Sequence, residues 1–310
     1  MLSGPLSSTR ILSLALNLPG PAALYRLRAL GAKCQKLEPI AATSGVHVDP
    51  LGQHCPVAYK MLHEGIEVVS ADLKTTPGQA ALHAALSNTD VLLTSFRPSA
   101  LNKLGLGWKE FHLRYPQVSM VAVVGAPGPR ADVPGHDITY MAEAGLIDRM
   151  QQPVTLFADM AGAIAISEAV LSARLSQYAR GGEGARVEVA LSEAAQWLAL
   201  PRTWGLTSRR GPLGGKHAGY RVYKCKDGRV AVAALEPHFA GRLVKLVGVD
   251  VDVDVDVDVD VRRAQDSATL ASLTTAKMRR AVASFIADKT TTELEALSAA
   301  HDIPLWVMCS

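Results

Sequence analysis

At 310 residues, with 48% apolar and 20% charged side chains, the chain is long enough for a substantial core and, as a soft prior, for two domains. The net charge of +3 is slight and the basic residues are scattered, which argues against a nucleic-acid partner or a polybasic membrane anchor. Cys34, Cys55, Cys225 and Cys309 form no CxxC pair, so no metal is expected, and a reduced, cytoplasmic protein is.

The first apolar run, Ile11–Leu16, follows Arg10 and superficially resembles a signal peptide. Pro19-Gly20-Pro21 interrupts it early and no clean cleavage site follows, so a buried first strand is the better reading. Pro21 opens a helix that Gly31 ends, and Lys33–Leu37 reads as the second strand. Val68–Leu73, Val91–Thr94 and Val118–Val124 read as further strands, with helical stretches at Pro77–Leu86 and Trp108–Arg114. Strands alternating with helices predict an α/β, Rossmann-like domain with a parallel sheet covered on both faces. No GxGxxG follows a strand, which disfavours a nicotinamide dehydrogenase.

The longest helix is expected from Asp159 to about Tyr178, with Ile164, Leu171, Leu175 and Tyr178 on one face. Small residues in its first turn (Ala158, Ala161, Gly162, Ala163) let another backbone or a ligand come close. A strand at Arg186–Ala190 and a helix at Ser192–Leu200 complete a large domain, 1–200. From 201 to 310 the character changes to a smaller α+β domain, where Tyr220–Lys224 and Arg229–Ala233 form a hairpin across Lys226-Asp227-Gly228. The Val-Asp alternation at 249–261 puts six acids on one side, which repel one another. It lacks the glycine and closing glutamate of a calcium loop, and reads as a non-functional insertion. No segment reaches the ~20 apolar residues needed to span a membrane.

Three residues stand out chemically: His136 after Pro134-Gly135, Asp159 at a helix start, and Glu236 after a strand in Leu235-Glu236-Pro237. Neutral imidazole takes protons and carboxylic acids return them, so a converged set of these groups moves a proton on and off carbon. Read singly, Asp159 is a helix N-cap, His136 a structural loop histidine and Glu236 an exposed charge at a strand end.

Leu18-Pro-Gly-Pro-Ala22 and Leu30-Gly-Ala-Lys-Cys-Gln-Lys-Leu-Glu-Pro39 resemble the start of the family III CoA-transferases and α-methylacyl-CoA racemases. The match continues through Ala71-Asp-Leu-Lys74, Phe96-Arg-Pro98, Leu104-Gly-Leu-Gly107, Gly135–Tyr140, Ala158-Asp159, Gly182-Glu-Gly184, Lys226-Asp-Gly228 and Leu235-Glu-Pro237, over nearly the whole chain. The resemblance implies an enzyme acting on acyl-CoA thioesters, with coenzyme A as part of the substrate and no separate cofactor. It implies an interlocked homodimer, with the site between the large domain of one subunit and the small domain of its partner. Asp159 matches the carboxylate used in both branches, as nucleophile in transferases and as acid/base in racemases. His136 matches the second racemase acid/base, and Glu236 the glutamate that partners it. Arg97 matches a CoA-binding arginine, and Lys36 a basic position after the second strand.

Gly135-His-Asp together with Leu-Glu-Pro237 favours the racemase branch, acting on 2-methyl-branched acyl-CoA. A CoA-transferase working through an aspartyl mixed anhydride is the alternative, and a CoA-binding subunit without turnover a third. The chain departs from the family in three places. His63-Glu-Gly-Ile-Glu67 stands where positive charge is usual, the glycine-rich turn before His136 is cut to Gly125–Pro129, and the chain stops at Ser310 without the family's C-terminal return segment. The glycine-rich loop of the transferases is likewise reduced to Gly214-Gly215.

Overall fold

The computed structural model describes residues 4–41, 48–147, 150–248 and 267–308. The Val-Asp run and Cys309 lie outside the described residues. The chain divides into two compact units, Met1–Ala199 and Leu200–Ser310.

The first unit contains strands β1 (Arg10–Ser13), β2 (Lys33–Glu38), β3 (Glu67–Ser70), β4 (Val91–Thr94), β5 (Ser119–Val124) and β6 (Arg186–Ala190). Its helices are α1 (Pro19–Ala29), α2 (Pro50–His54), α3 (Pro56–Leu62), α4 (Thr76–Leu86), α5 (Pro98–Lys103), α6 (Trp108–Arg114), α7 (Asp137–Glu143) and α8 (Phe157–Ala179). α9 (Leu191–Thr203) runs across the boundary between the units. All six strands are parallel, in the order β3-β2-β1-β4-β5-β6. This is the expected Rossmann-like α/β layout. β4 and β5 are buried along their whole length, as a strand covered on both faces must be. One apolar core lies on the side of α1 and α8, and includes Ile11, Leu24, Leu93, Val121, Ile166 and Val170. A second lies on the other face with Leu12, Leu82, Leu92, Leu106, Phe111 and Met120.

In this strand order the chain reverses direction between β1 and β4. The loops after those two strands diverge there and leave a crevice at the carboxyl edge of the sheet. β1 ends at Ser13, short of the expected Leu16, and the chain turns at Asn17, whose φ is 65°. β3 likewise ends at Ser70.

α8 departs from expectation at both its start and its face. It opens at Phe157 rather than Asp159, so Asp159 is its third residue and not its cap. The face that packs inward is the small-residue one, with Ala158, Gly162, Ala163, Ile166, Ala169, Val170 and Ala173 buried. Ile164, Leu175 and Tyr178 point outward instead. The physical reason is closeness of approach: a Cβ added at Gly162 would lie 2.3 Å from Leu191 Cδ2. At this end of α8 only a small side chain fits beneath Leu191, while Ile166 and Val170 fill the wider space further along the same face.

The second unit pairs β7 (Tyr220–Lys224) and β8 (Arg229–Ala233) as the expected antiparallel hairpin. A third strand, β9 (Leu305–Met308), whose four residues carry no clear strand signal, adds to β8. Helices α10 (Pro237–Val247), α11 (Ala276–Ala287) and α12 (Thr291–His301) also belong to this unit. Its own core is formed by Tyr223, Val230, Val232, Leu243, Val244, Met278, Val282, Ile286 and Leu294. Among the described residues no helix is long and apolar enough to cross a membrane.

Candidate active site

A cavity of about 220 Å³ lies at the carboxyl edge of the sheet. Asn17 and Gly20 line it from the segment after β1, Ser95 and Arg97 from the segment after β4, and Val124 and Gly125 from the end of β5. His136, Tyr140 and Asp159 close it. Three of the five sequence-derived candidates, Arg97, His136 and Asp159, therefore share one cavity, although they are far apart in the chain.

The loop that delivers His136 is fastened at both ends. Asp132, in the 3-10 turn Gly128–Asp132, accepts hydrogen bonds from the Ser99 hydroxyl (2.7 Å) and amide (3.2 Å) on α5. Arg130 forms a two-pronged ion pair with Glu143 of α7, at 2.7 and 2.8 Å. Each exposed link is individually weak, but together they restrict the loop. His136 itself is exposed at the N-cap position of α7, where the Thr139 hydroxyl accepts from its backbone N–H at 3.0 Å.

Behind His136 the chain closes tightly on Tyr140, which is 6% exposed. A Cβ at Gly125 would lie 2.4 Å from the Tyr140 hydroxyl, and one at Gly135 only 2.6 Å from its ring. Both positions therefore require glycine. Burial, and then the nearby Asp159, push the Tyr140 phenol above its ordinary value. Tyr140 carries no chemical role that the sequence alone marks. The visible signal was the pair of glycines flanking the loop, which leave room for a ring.

Asp159 is held by its neighbours rather than by a helix cap. Its backbone N–H donates to Asp137 Oδ1 at 2.9 Å, and Asp137 is 4% exposed. The preceding Ala158 is fully buried against Tyr140, Met141 and Ala195, which joins α7 to the start of α8. Burial of Asp159, followed by repulsion from Asp137, raises its carboxyl from 3.8 to about 7. The group sits where it can both hold and release a proton near neutral pH. The Asp159 amide is taken by Asp137, so it is not a free donor for a developing oxyanion.

Lys36 does not meet its expected role. It lies inside β2 rather than after it, and its side chain has no solvent exposure. The ammonium is 2.5 Å from Asp49 Oδ2, 2.6 Å from Glu38 Oε1 and 3.0 Å from His63 Nε2. Its three N–H donors thus have three acceptors within the fold, and it presents no face to a phosphate. His63, on the segment where the family usually carries positive charge, is part of this buried cluster. Its Nδ1 lies 2.7 Å from the Tyr59 carbonyl. The ring therefore donates there, and Nε2 is left to accept from Lys36. Glu38, Asp49 and His63 have the composition of a metal site, but the Lys36 ammonium lies within 3.0 Å of all three. Glu236 lies in the second unit, exposed at the N-cap position of α10 with no side-chain capping bond.

A doubly covered parallel sheet with a carboxylate, a histidine and an arginine around the crevice at its switch point has its candidate site where open α/β sheets bind their ligands. The chain belongs to CoA-transferase family III, whose family model matches residues 6–309. It is 27% identical over 262 residues to the α-methylacyl-CoA racemase of Mus musculus, covering 79% of this chain and 65% of that protein. It is equally 27% identical over 263 residues to the (R)-2-hydroxy-4-methylpentanoate CoA-transferase of Clostridioides difficile, covering 78% and 66%. The chain thus spans about two thirds of the length of these relatives. Among solved structures, the orthorhombic form of Rv3272 from Mycobacterium tuberculosis matches with a TM-score of 0.77 at 25% identity, covering 99% of this chain and 84% of that one.

Proposed function

We propose that the chain is an acyl-CoA racemase that removes and returns the α-proton of 2-methyl-branched thioesters. The observation that carries this reading is the joint presence of His136 and an Asp159 raised to about 7 in one cavity. A two-base racemase needs one group on each face of the α-carbon, each able to serve as base in one direction and acid in the other. A carboxyl poised near neutrality suits that double duty. A carboxylate that must attack a thioester to form a mixed anhydride is better served by staying ionised. Arg97, exposed at the same cavity, supplies the cation that a CoA phosphate requires. In this reading Glu236 of a second copy partners His136, and the working form is a homodimer.

The transferase reading keeps support of its own, since relatives named for that reaction match the chain as well as those named for racemisation. The two readings separate on His136. In a two-base racemase His136→Ala stops α-proton exchange started from one enantiomer far more than from the other. In a transferase that carries its acyl group on Asp159 the same variant keeps substantial activity. Equal, mild losses for both enantiomers contradict the racemase.

A further inference from the structure

The buried Lys36 cluster is larger than a core ion pair requires, and it reaches the cavity through Asp49. Asp49 is fully buried, and its two oxygens are divided between tasks. Oδ2 binds Lys36, while Oδ1 accepts from the Leu51 amide at 2.9 Å and from the Asn17 amide at 3.0 Å. The first of these caps α2. The second holds the cavity wall, because Asn17 is one of its lining residues.

Asn17 needs holding. Its φ of 65° lies in the left-handed region, which costs energy for any residue with a Cβ, although asparagine tolerates it better than most. The neighbouring Leu16 amide is held from the other side by the Ser95 hydroxyl, at 3.1 Å. The bend at the end of β1 is therefore clasped between the segment after β4 and the Asp49 carboxylate. Removing one partner of a fully buried ion pair leaves an uncompensated charge, so Asp49 cannot swing away from Lys36 at low cost. The rigidity of the cluster passes to the Asn17 amide.

We propose that Lys36 and Asp49 are positioning residues for the proposed active site, fixing the Leu16–Leu18 bend that forms one wall of the ligand cavity. This deepens the acyl-CoA reading and rests on it for the identity of the ligand, while the clasp itself is testable without any ligand. It also gives Lys36 a role at the site that differs from phosphate contact: it acts through Asp49, from within the sheet.

The test uses the full chain with Asp49→Ala, and with Asp49→Asn as a second variant that keeps an oxygen for the two amides but loses the ionic tie. Hydrogen–deuterium exchange is followed by mass spectrometry. A lost hydrogen bond to a charged acceptor corresponds to a roughly ten- to hundredfold change in an equilibrium. Exchange in peptides spanning residues 14–20 is therefore expected to accelerate by that factor in Asp49→Ala, with β4 and β5 unchanged. Asp49→Asn is expected to show a smaller acceleration in the same segment, and decides the matter if the alanine variant does not fold. Unchanged exchange at 14–20, or equal acceleration throughout the first unit, overturns the proposal.

With acyl-CoA as substrate, Asp49→Asn should raise KM while kcat per folded molecule holds. An unchanged KM, with a rate that falls only per total protein and in step with the folded fraction, means that Asp49 merely maintains the fold, and equally overturns it. A wild-type chain that neither binds nor turns over any acyl-CoA contradicts the function proposed above, and the exchange measurement then decides the clasp by itself.

Discussion

In the proposed reaction Asp159 carries most of the chemistry, and its environment makes a thermodynamic prediction of an unusual sign. Its value in the folded protein, about 7, lies above the ordinary 3.8. Between those limits the folded state binds more protons than the unfolded state. Its contribution to stability is therefore fully present below about pH 4 and lost as pH rises through 7. Asp159→Asn removes the charge and leaves the carbonyl, so at pH 8 the variant should be more stable than the wild type by on the order of 1–4 kcal/mol. At pH 4 the two should nearly coincide in urea or thermal unfolding. The same variant should lose turnover entirely, since an amide is neither base nor nucleophile. A variant no more stable at pH 8 than the wild type contradicts the buried, repelled carboxyl described here. The sequence made Asp159 recognisable, but not what surrounds it, because Asp137 is 22 positions away and Tyr140 lies on a different helix. Lys36 shows the same limit more sharply. A lysine within a strand reads as a surface cation until Asp49 and His63, from 13 and 27 positions on, fold over it.

The elements that frame the site are β1, β4, β5 and the loop into α7, and their boundaries were legible where a strong local signal marked them. β4, β6, β7, β8 and α6 fall on the residues that alternation and periodicity indicate. α8 was legible as a helix but not in its orientation. Its bulky residues suggest one buried face, while close packing selects the opposite, small-residue face. The loop before α7 makes a test at this scale. Gly125→Ala places a methyl within 2.4 Å of the Tyr140 hydroxyl, so the ring must move or the loop must open. Overpacking of this kind costs about 1–3 kcal/mol. The variant should lose that stability in urea unfolding and should lose activity out of proportion, because Tyr140 stands in the first turns of the helix that His136 caps. Full activity in Gly125→Ala would show that the fit around Tyr140 does not position the catalytic groups.

At the scale of the whole molecule, two compact units carry the candidate residues, with His136 and Asp159 in the first and Glu236 in the second. If Glu236 of one copy serves His136 of another, co-expression of racemisation-deficient His136→Ala and Glu236→Ala chains should restore part of the racemisation, since a heterodimer contains one intact composite site. Verified heterodimers that recover nothing would assign Glu236 elsewhere. Beneath that question lies the claim that the cavity moves a proton at carbon. The direct measurement is deuterium incorporation at the α-carbon of a 2-methylacyl-CoA in heavy water, followed by mass spectrometry, with no acceptor acid present. The wild type should gain one mass unit at the α-position from either enantiomer, while Asp159→Asn should not racemise and should lose the exchange started from one enantiomer, the opposite one to His136→Ala. Movement of CoA to an added carboxylate without any α-deuterium would contradict the racemase and establish the transferase in its place.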